Sequence, residues 1–537
     1  MPNENQNLPK PPFLTEPPVA PSAELPTGPP VEPPAEPSAE ETPPTTQAPL
    51  PTEVLSEETP SPEPSPPLPE EPSVPLSPLS TEPIQTIQPE EPTKPPIKKY
   101  LMALLAVLLI IAIGLGVYLF VLPHFKRVIK LGEITLDYWG LWEPEEVMQE
   151  VLAEWEKEHP KIKITYQNQS PKEYRERLQS ALARNEGPDI FRFHITWLPM
   201  LKNELDAVPS SVMSSAQFEN AFYPVATANL RSGADFLGIP LMMDTLALYY
   251  NEDIFQTYEK EPPTTWEELR ELATALTTKD ENGRILVAGV ALGATSNVDH
   301  WSDILGLLMF QNGADLTAPA ACSQKGEEKI CLGADALTFY TLFKKVDKVW
   351  DETMPPSTMA FVGGKLAMYF APSWRVFNIK EINPELRFKV VPVPQVSGGN
   401  VTWASFWVEG VAKKSQYQKE AWEFLKFLSQ NQALEKFYQV ASGKRAFGEL
   451  YPRVEMAQRL EGNPLVAPFI TQAANAKTWY LCSRTYDNGL NDRMIKYFED
   501  AVNAVNQGQS SQQALEVAAS GVSQLLSQYG VAASIVR

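Results

Sequence analysis

"EITLDYW" (Glu133–Trp139), "KIKITYQ" (Lys161–Gln167) and "DIFRFH" (Asp189–His194) decide the fold, because of what separates them. In the first, Ile134, Leu136 and Tyr138 alternate with their neighbours, the period of a strand with one buried face. The second alternates in the same way, and the third reads as another strand. Between the first two, "EPEEVMQEVLAEWEKEHP" puts Val147, Val151, Leu152 and Trp155 at helical spacing. Its Glu145 and Glu146 stand near the N-terminus, where the helix dipole favours negative charge. "PKEYRERLQSALARNEGP" repeats the pattern with Tyr174, Leu178 and Leu182 on one face. Strand–helix–strand–helix–strand needs crossover helices, and so implies a parallel sheet in an α/β protein.

The same two periods continue downstream. "GIPLMMDTLALYYNEDIF" is strand-like, and "PPTTWEELRELATALTT" is a helix capped by Thr264 or Thr265, with Glu267 and Glu268 in its first turn. "KDENGR" has turn chemistry ahead of the strand "ILVAGVAL". "DALTFYTLFKKVDKVW" is an amphipathic helix, "FKVVPVPQ" a strand ended by prolines, and "SFWVEGVAKKS" another strand. "YQKEAWEFLKFLSQNQALEKFYQVA" gives one or two helices, and the last 50 residues are mostly helical.

Upstream the chemistry changes. Residues 1–97 hold 31 of the 52 prolines and 16 glutamates, with almost no aromatic residues. Such a segment buries too little apolar surface to offset its ordering entropy, so a disordered, semi-stiff acidic arm is expected. PxxP spacings recur in it, as in "PSPPLP", but that many prolines produce them by chance, and a spacer is the preferred reading. "YLMALLAVLLIIAIGLGVYLFVL" (Tyr100–Leu122) then runs without a charge or a proline. As a helix it would reach ~34 Å, enough to cross a bilayer. A transmembrane helix over 98–123 is expected, contacting lipid through residues 100–122. Lys94, Lys98 and Lys99 precede it and Lys126, Arg127 and Lys130 follow it, so the positive-inside rule gives no orientation.

Residues 132–537 carry a net charge near −12 and show no basic patch or stripe, which argues against nucleic-acid binding. There are three cysteines and four histidines, with no CxxC pair, so neither a structural zinc site nor a cofactor is expected. Cys322 and Cys331 bracket the polar stretch "SQKGEEKI" and are a candidate disulfide in an oxidising compartment; Cys482 reads as a buried apolar residue. No GxSxG elbow, HExxH or dinucleotide fingerprint is present, and "GGK" at 363–365 lacks the Walker spacing. An enzyme is not expected.

Six stretches, in order, resemble the type 1 extracellular solute-binding proteins of ABC importers, the family of the maltose-binding protein. They are "GPDIFRFHITWLPML", "GIPLMMDTLALYYNEDIF", "PTTWEEL", "FVGGKLAMYFAPSW", "WVEGVAKKSQYQKEAWEFLKFLS" and "GQSSQQALEVAASGVSQLL". The resemblance covers nearly all of 132–537 and implies a two-lobed type II periplasmic-binding-protein fold with crossing hinge strands. The crossings are expected near Asp244, Phe406 and Leu460. One lobe would then hold 132–243 and 407–460, the other 246–405 and 461–537. It implies a carbohydrate ligand, closure of the lobes by a hinge and a permease partner in the membrane, the binding protein itself being a monomer. The departure from the family lies upstream. No cysteine precedes Cys322, so a lipid anchor is not expected, and the 98–123 helix takes that place as an uncleaved anchor, arm inside and binding domain outside. A surface receptor or adhesion module not coupled to transport is the alternative.

A sugar offers apolar C–H faces to aromatic rings and hydroxyls to carboxylates, amides and arginines. All 12 tryptophans lie in 132–537. Trp139 and Trp142 follow the first strand and His194 and Trp197 the third, at carboxyl strand ends where open α/β sheets bind ligands. The resemblance adds Asp244, at a lobe crossing, and Trp374 in "APSW", a sugar-stacking position in the family. Trp301, Trp403, Phe406 and Arg445 complete the candidates; Trp155, Trp266, Trp350 and Trp422 read as core.

Overall fold

The computed structural model describes residues 133–531. The proline-rich arm and the apolar run at 100–122 lie outside the described residues. Among the described residues no helix is long and apolar enough to cross a membrane.

The chain begins with β1 (Ile134–Gly140), α1 (Glu145–Glu158), β2 (Ile162–Asn168), α2 (Tyr174–Ala183) and β3 (Ile190–His194), the order that alternation and helical spacing predict. Val147, Val151, Leu152 and Trp155 of α1 are all buried. After β4 (Ile239–Pro240) the chain crosses to a second sheet with β5 (Leu246–Asn251). There α3 (Trp266–Leu276) starts with a capping box: the Thr265 hydroxyl accepts from the Glu268 amide, and Glu268 answers on the Thr265 amide. β6 (Thr278–Lys279), β7 (Ile285–Val290), α4 (Trp301–Gln311), α5 (Leu332–Lys345), β8 (Leu366–Pro372), α6 (Arg375–Ile382) and β9 (Phe388–Val391) follow. β10 (Thr402–Trp403) leads back to the first sheet as β11 (Trp407–Val411), then α7 (Gln418–Leu428) and α8 (Asn431–Ser442), two helices rather than one. β12 (Ala476–Lys477), α9 (Leu490–Asn506) and α10 (Ser511–Gln528) close the described chain.

The first sheet has the order β2-β1-β3-β11-β4. β1 pairs parallel with both β2 and β3, as the crossover helices require, whereas β11 runs antiparallel to β3, setting Trp407 opposite His194. The second sheet has the order β9-β5-β8-β7-β6, and β10 pairs parallel with β12 apart from both. The strands that leave one sheet for the other meet side by side. A bridge joins Thr245 to Ala404, and the Ser405 amide donates to the Asp244 carbonyl at 3.2 Å. On the third passage, Arg459 still pairs with Glu435 on the first-sheet side, while the Phe469 carbonyl already accepts from Thr245 at 3.0 Å. The result is a two-lobed α/β fold with a cleft against the crossing strands.

Cys322 and Cys331 are joined in a disulfide that closes a short hairpin ahead of α5. Cys482 is buried, and burial pushes its thiol far above the ordinary range.

Candidate functional site

A cavity of about 680 Å³ is lined from both lobes, a volume in the usual range for small-molecule sites. From the first lobe come Trp142, His194, Phe406, Trp407 and Arg445; from the second, Asp299, Trp374, Arg375, Arg484 and Tyr486; Asp244 stands at the crossing.

Three lining residues sit where side chains are rarely tolerated. Trp142, Arg484 and Tyr486 have φ of 73°, 60° and 53°, a left-handed conformation that costs a residue with a Cβ roughly 1 kcal/mol or more. Each turns the chain sharply beside the cavity. Trp142 is 40% exposed, and its ring meets Trp407 edge-on at 5.7 Å. Trp374 stands between β8 and α6, half-buried, with the Arg375 guanidinium 4.5 Å from its ring centroid and the His300 ring at 5.6 Å.

The polar groups fall into three sets. His194 ends β3 with Nδ1 2.8 Å from the Thr196 hydroxyl and Nε2 3.1 Å from that of Ser405. Burial lowers its pKa to about 3, so it works as a neutral donor and acceptor. Asp244 accepts from the Thr245 amide at 2.8 Å, the Ser373 amide at 3.1 Å and the Ser373 hydroxyl at 2.9 Å. Burial nevertheless pushes its carboxyl up to about 8. Arg445 donates to Glu143 at 3.0 Å and to Glu449 at 2.7 Å. Burial and the Glu449 charge push Glu143 up to about 8, so one proton resides on this pair of acids. Its guanidinium lies 4.8 Å over the Phe377 ring of α6, a contact from one lobe to the other.

Opposite them, Asp299 accepts from the Thr358 hydroxyl at 2.6 Å and amide at 3.2 Å. Arg375 donates to it at 3.4 Å, and Arg484 donates to the same carboxylate oxygen. Burial alone would raise the carboxyl; the Thr358 hydroxyl and the cations hold it well below the usual range. Arg375 also donates through Nε to His300 Nε2 at 3.1 Å. His300 therefore offers a lone pair there, and burial keeps its pKa lowered.

Of the residues singled out in the sequence, the cavity brings together Trp374, Asp244, Trp142, His194, Phe406 and Arg445. Four others stand elsewhere. Trp139 lines a separate groove beside α2, with Arg177 and Arg184. Trp197 is buried, its ring packed at 5.2 Å behind Trp407 and at 6.1 Å from Tyr174. Trp301 is buried at the head of α4. Trp403 is buried at the crossing strands, donates to Asp303 at 2.9 Å, and packs on Gly306, where a side chain would collide with its ring. Trp407, Asp299, Arg375, Arg484 and Tyr486 were not singled out. For Trp407 a signal existed, since Phe406–Trp407 opens the strand that follows a crossing. Arg484 and Tyr486 lie in a loop whose composition marks nothing.

No group of three or more His, Cys, Asp or Glu among the described residues is placed to hold a metal ion. Two lobes with a cleft of rings and polar groups define a binding protein for small solutes. The chain belongs to the bacterial extracellular solute-binding protein family, whose model matches residues 142–435. That family is one of binding proteins and not of enzymes. Among its relatives, a multiple sugar-binding protein of Streptococcus mutans is 22% identical over 319 residues, covering 58% of this chain and 74% of that protein. An uncharacterized lipoprotein of Streptomyces antibioticus is 24% identical, covering 55% and 67%. In fold the chain is similar to a cyclo/maltodextrin-binding protein complexed with maltotetraose (TM-score 0.58, 18% identity, 74% of this chain and 99% of that one). It is equally similar to the sugar-binding protein MalE of Xanthomonas citri (TM-score 0.58, 20% identity, 73% and 98%).

Proposed function

We propose that this chain is the substrate-binding component of an ABC importer, that it takes an oligosaccharide in the cleft, and that the run at 100–122 tethers it to the membrane beside its permease. The observation that carries the reading is the convergence of Trp142, Trp374, Trp407 and Tyr486 on one cavity that also presents carboxylates and guanidiniums. Rings stack on sugar C–H faces while charged groups bind hydroxyls. The relatives named for sugars support the same class. Closure rotates one lobe toward the other about the crossing strands, bringing Trp374 and Arg484 toward Trp142 and Trp407. The tether raises the effective concentration of the binding domain at the permease.

Thermal unfolding of the full-length chain in detergent, against oligosaccharides, amino acids and polyamines, tests the ligand class. A ligand at ~100 times its dissociation constant adds ~2.7 kcal/mol. One oligosaccharide class is expected to raise the midpoint, and Trp374→Ala to abolish the rise; a response to amino acids or polyamines alone would overturn the sugar assignment. Deleting residues 100–122 is expected to move the protein from the membrane to the soluble fraction, and retention in the membrane would refute the tether.

A further inference from the structure

One turn, residues 483–491, serves two faces of the molecule. Its first half, with Ser483, Arg484 and Tyr486, lines the cavity and is tied to the second lobe. The Ser483 amide donates to Asp303 at 3.2 Å, the Ser483 hydroxyl lies 2.8 Å from His300 Nδ1, and Arg484 donates to Asp299. Its second half, 487–491, opens α9, which packs among the second-lobe helices α4, α5 and α10. Yet this half is clasped by the first lobe. Arg175 of α2 donates to the Asp487 carbonyl, Asn488 donates to Glu176 of α2 at 3.2 Å, and the Leu490 amide points at Met200 Sδ, 3.5 Å away. Asn491 is fully buried and donates to the Thr196 hydroxyl at 2.7 Å, the same hydroxyl that meets His194 Nδ1 in the cleft. The turn itself is closely determined. The Asp487 carboxylate accepts from the amides of Gly489 at 3.0 Å, Asn491 at 3.0 Å and Asp492 at 3.1 Å. A Cβ on Gly489 would lie 2.7 Å from Met200 Sδ, so glycine lets the two lobes approach there. Arg484, Tyr486 and Asn488 all stand in the left-handed region, with φ of 60°, 53° and 43°.

None of the first-lobe groups in this contact lies on the crossing strands, so rotating one lobe about those strands shears or breaks it. We propose that 483–491 is the latch between the lobes: the half bearing Arg484 and Tyr486 faces the solute, and the other half fastens to α2 and to the turn after β3. Arg175, Thr196 and Asn491 are its positioning residues. They line no part of the cavity; they set how firmly the lobes stay together, and hence how long a solute held between them is retained. The latch acts in this way whichever class of solute the cleft takes.

The test reads the separation of the lobes and needs no ligand. Spin labels are attached at Lys419→Cys on α7 of the first lobe and Val517→Cys on α10 of the second, both exposed positions. Cys322 and Cys331 are bonded to each other and Cys482 is buried, so the labels go to the introduced cysteines. Double electron–electron resonance on the full-length chain in detergent is expected to show a population at the separation found in this structure. Arg175→Met and Asn491→Leu should each lower the ratio of that population to the rest about fivefold, the worth of one hydrogen bond. Arg175→Lys keeps a donor for the Asp487 carbonyl and should restore most of the population, which a general loss of packing would not allow. If Asn491→Leu fails to fold, the two Arg175 variants decide. The latch is overturned if the parent protein shows no such population, if Arg175→Met leaves the distribution unchanged, or if Arg175→Lys is as damaging as Arg175→Met. Each of these results leaves the sugar assignment standing, because the unfolding panel decides that separately.

Discussion

Asp244, just before β5, and Asp299, just ahead of α4, line the same cleft and stand in opposite electrostatic states. Asp244 accepts from two amides and a hydroxyl, yet its carboxyl is pushed up to about 8. Asp299 accepts from the Thr358 amide and hydroxyl and, at 3.4 Å, from the Ser357 hydroxyl, and its carboxyl is held far below the usual range. Two things differ: Asp244 is the more deeply buried, and Asp299 adds two guanidiniums to the hydrogen bond from the Thr358 hydroxyl, which stabilise its charged form. One site is thus a neutral acid near the hinge at physiological pH, and the other a permanent anion tied to two arginines.

A third carboxylate extends the contrast to full burial. Glu409 on β11 and Arg192 on β3 meet at 2.5 Å, both sealed from solvent, and Tyr138 donates to Glu409 at 3.0 Å. Removing the cation here has the largest expected effect. Arg192→Leu should cost about 3–5 kcal/mol in chemical denaturation, because a buried carboxylate loses its counter-charge. The double variant Arg192→Leu, Glu409→Leu should recover most of that loss. Equal damage in both variants would mean that shape, not charge, is what the pair supplies.

Asp299→Asn comes next. It removes the anion shared by Arg375 and Arg484, and a loss of about 1.5–3 kcal/mol at neutral pH is expected. Because the folded carboxyl lies below its ordinary value of 3.8, the stabilisation is present above that value and shrinks as the pH falls below it. The gap between wild type and variant should narrow on acidification, and a gap independent of pH would show that Asp299 works through shape alone.

Asp244 should behave in the opposite sense. Its folded value lies above the ordinary 3.8, so its contribution is fully present below that value and lost as pH rises toward 8. Wild type is expected to lose on the order of 1 kcal/mol per pH unit through this window relative to Asp244→Asn. A flat difference between the two proteins would place the Asp244 proton elsewhere.

These two states were unequally legible. The strands and helices of the first lobe follow from alternation and spacing, because one buried face imposes the period directly on the residues. Trp142 and His194 were readable as strand-end residues, and Asp244 through the family resemblance. Asp299 was not, since its meaning depends on Arg375, Arg484 and Thr358, which are far apart in sequence and meet only when the lobes are built. Trp403 failed for a related reason. It stood among the candidate tryptophans, but the absence of a side chain on Gly306 of α4 gives its ring a buried seat instead. A sequence reports burial period well and reports which loops converge poorly.

The finest test removes the same chemical group from each aspartate. Ser373→Ala deletes the hydroxyl at 2.9 Å from Asp244, and Thr358→Val deletes the one at 2.6 Å from Asp299. Both amides remain, and each loss is about 0.5–1.5 kcal/mol in stability. The consequences for ionisation should differ. Asp244 depends on neutral donors, so its titration, followed by carboxyl carbon NMR, should move further up in Ser373→Ala. Asp299 keeps both guanidiniums and should stay ionised down to acid pH in Thr358→Val, although the Thr358 hydroxyl also meets the Tyr369 hydroxyl at 2.6 Å and that contact is lost too. If Thr358→Val brings Asp299 into the ordinary carboxylate range, the hydroxyl and not the arginines holds the charge.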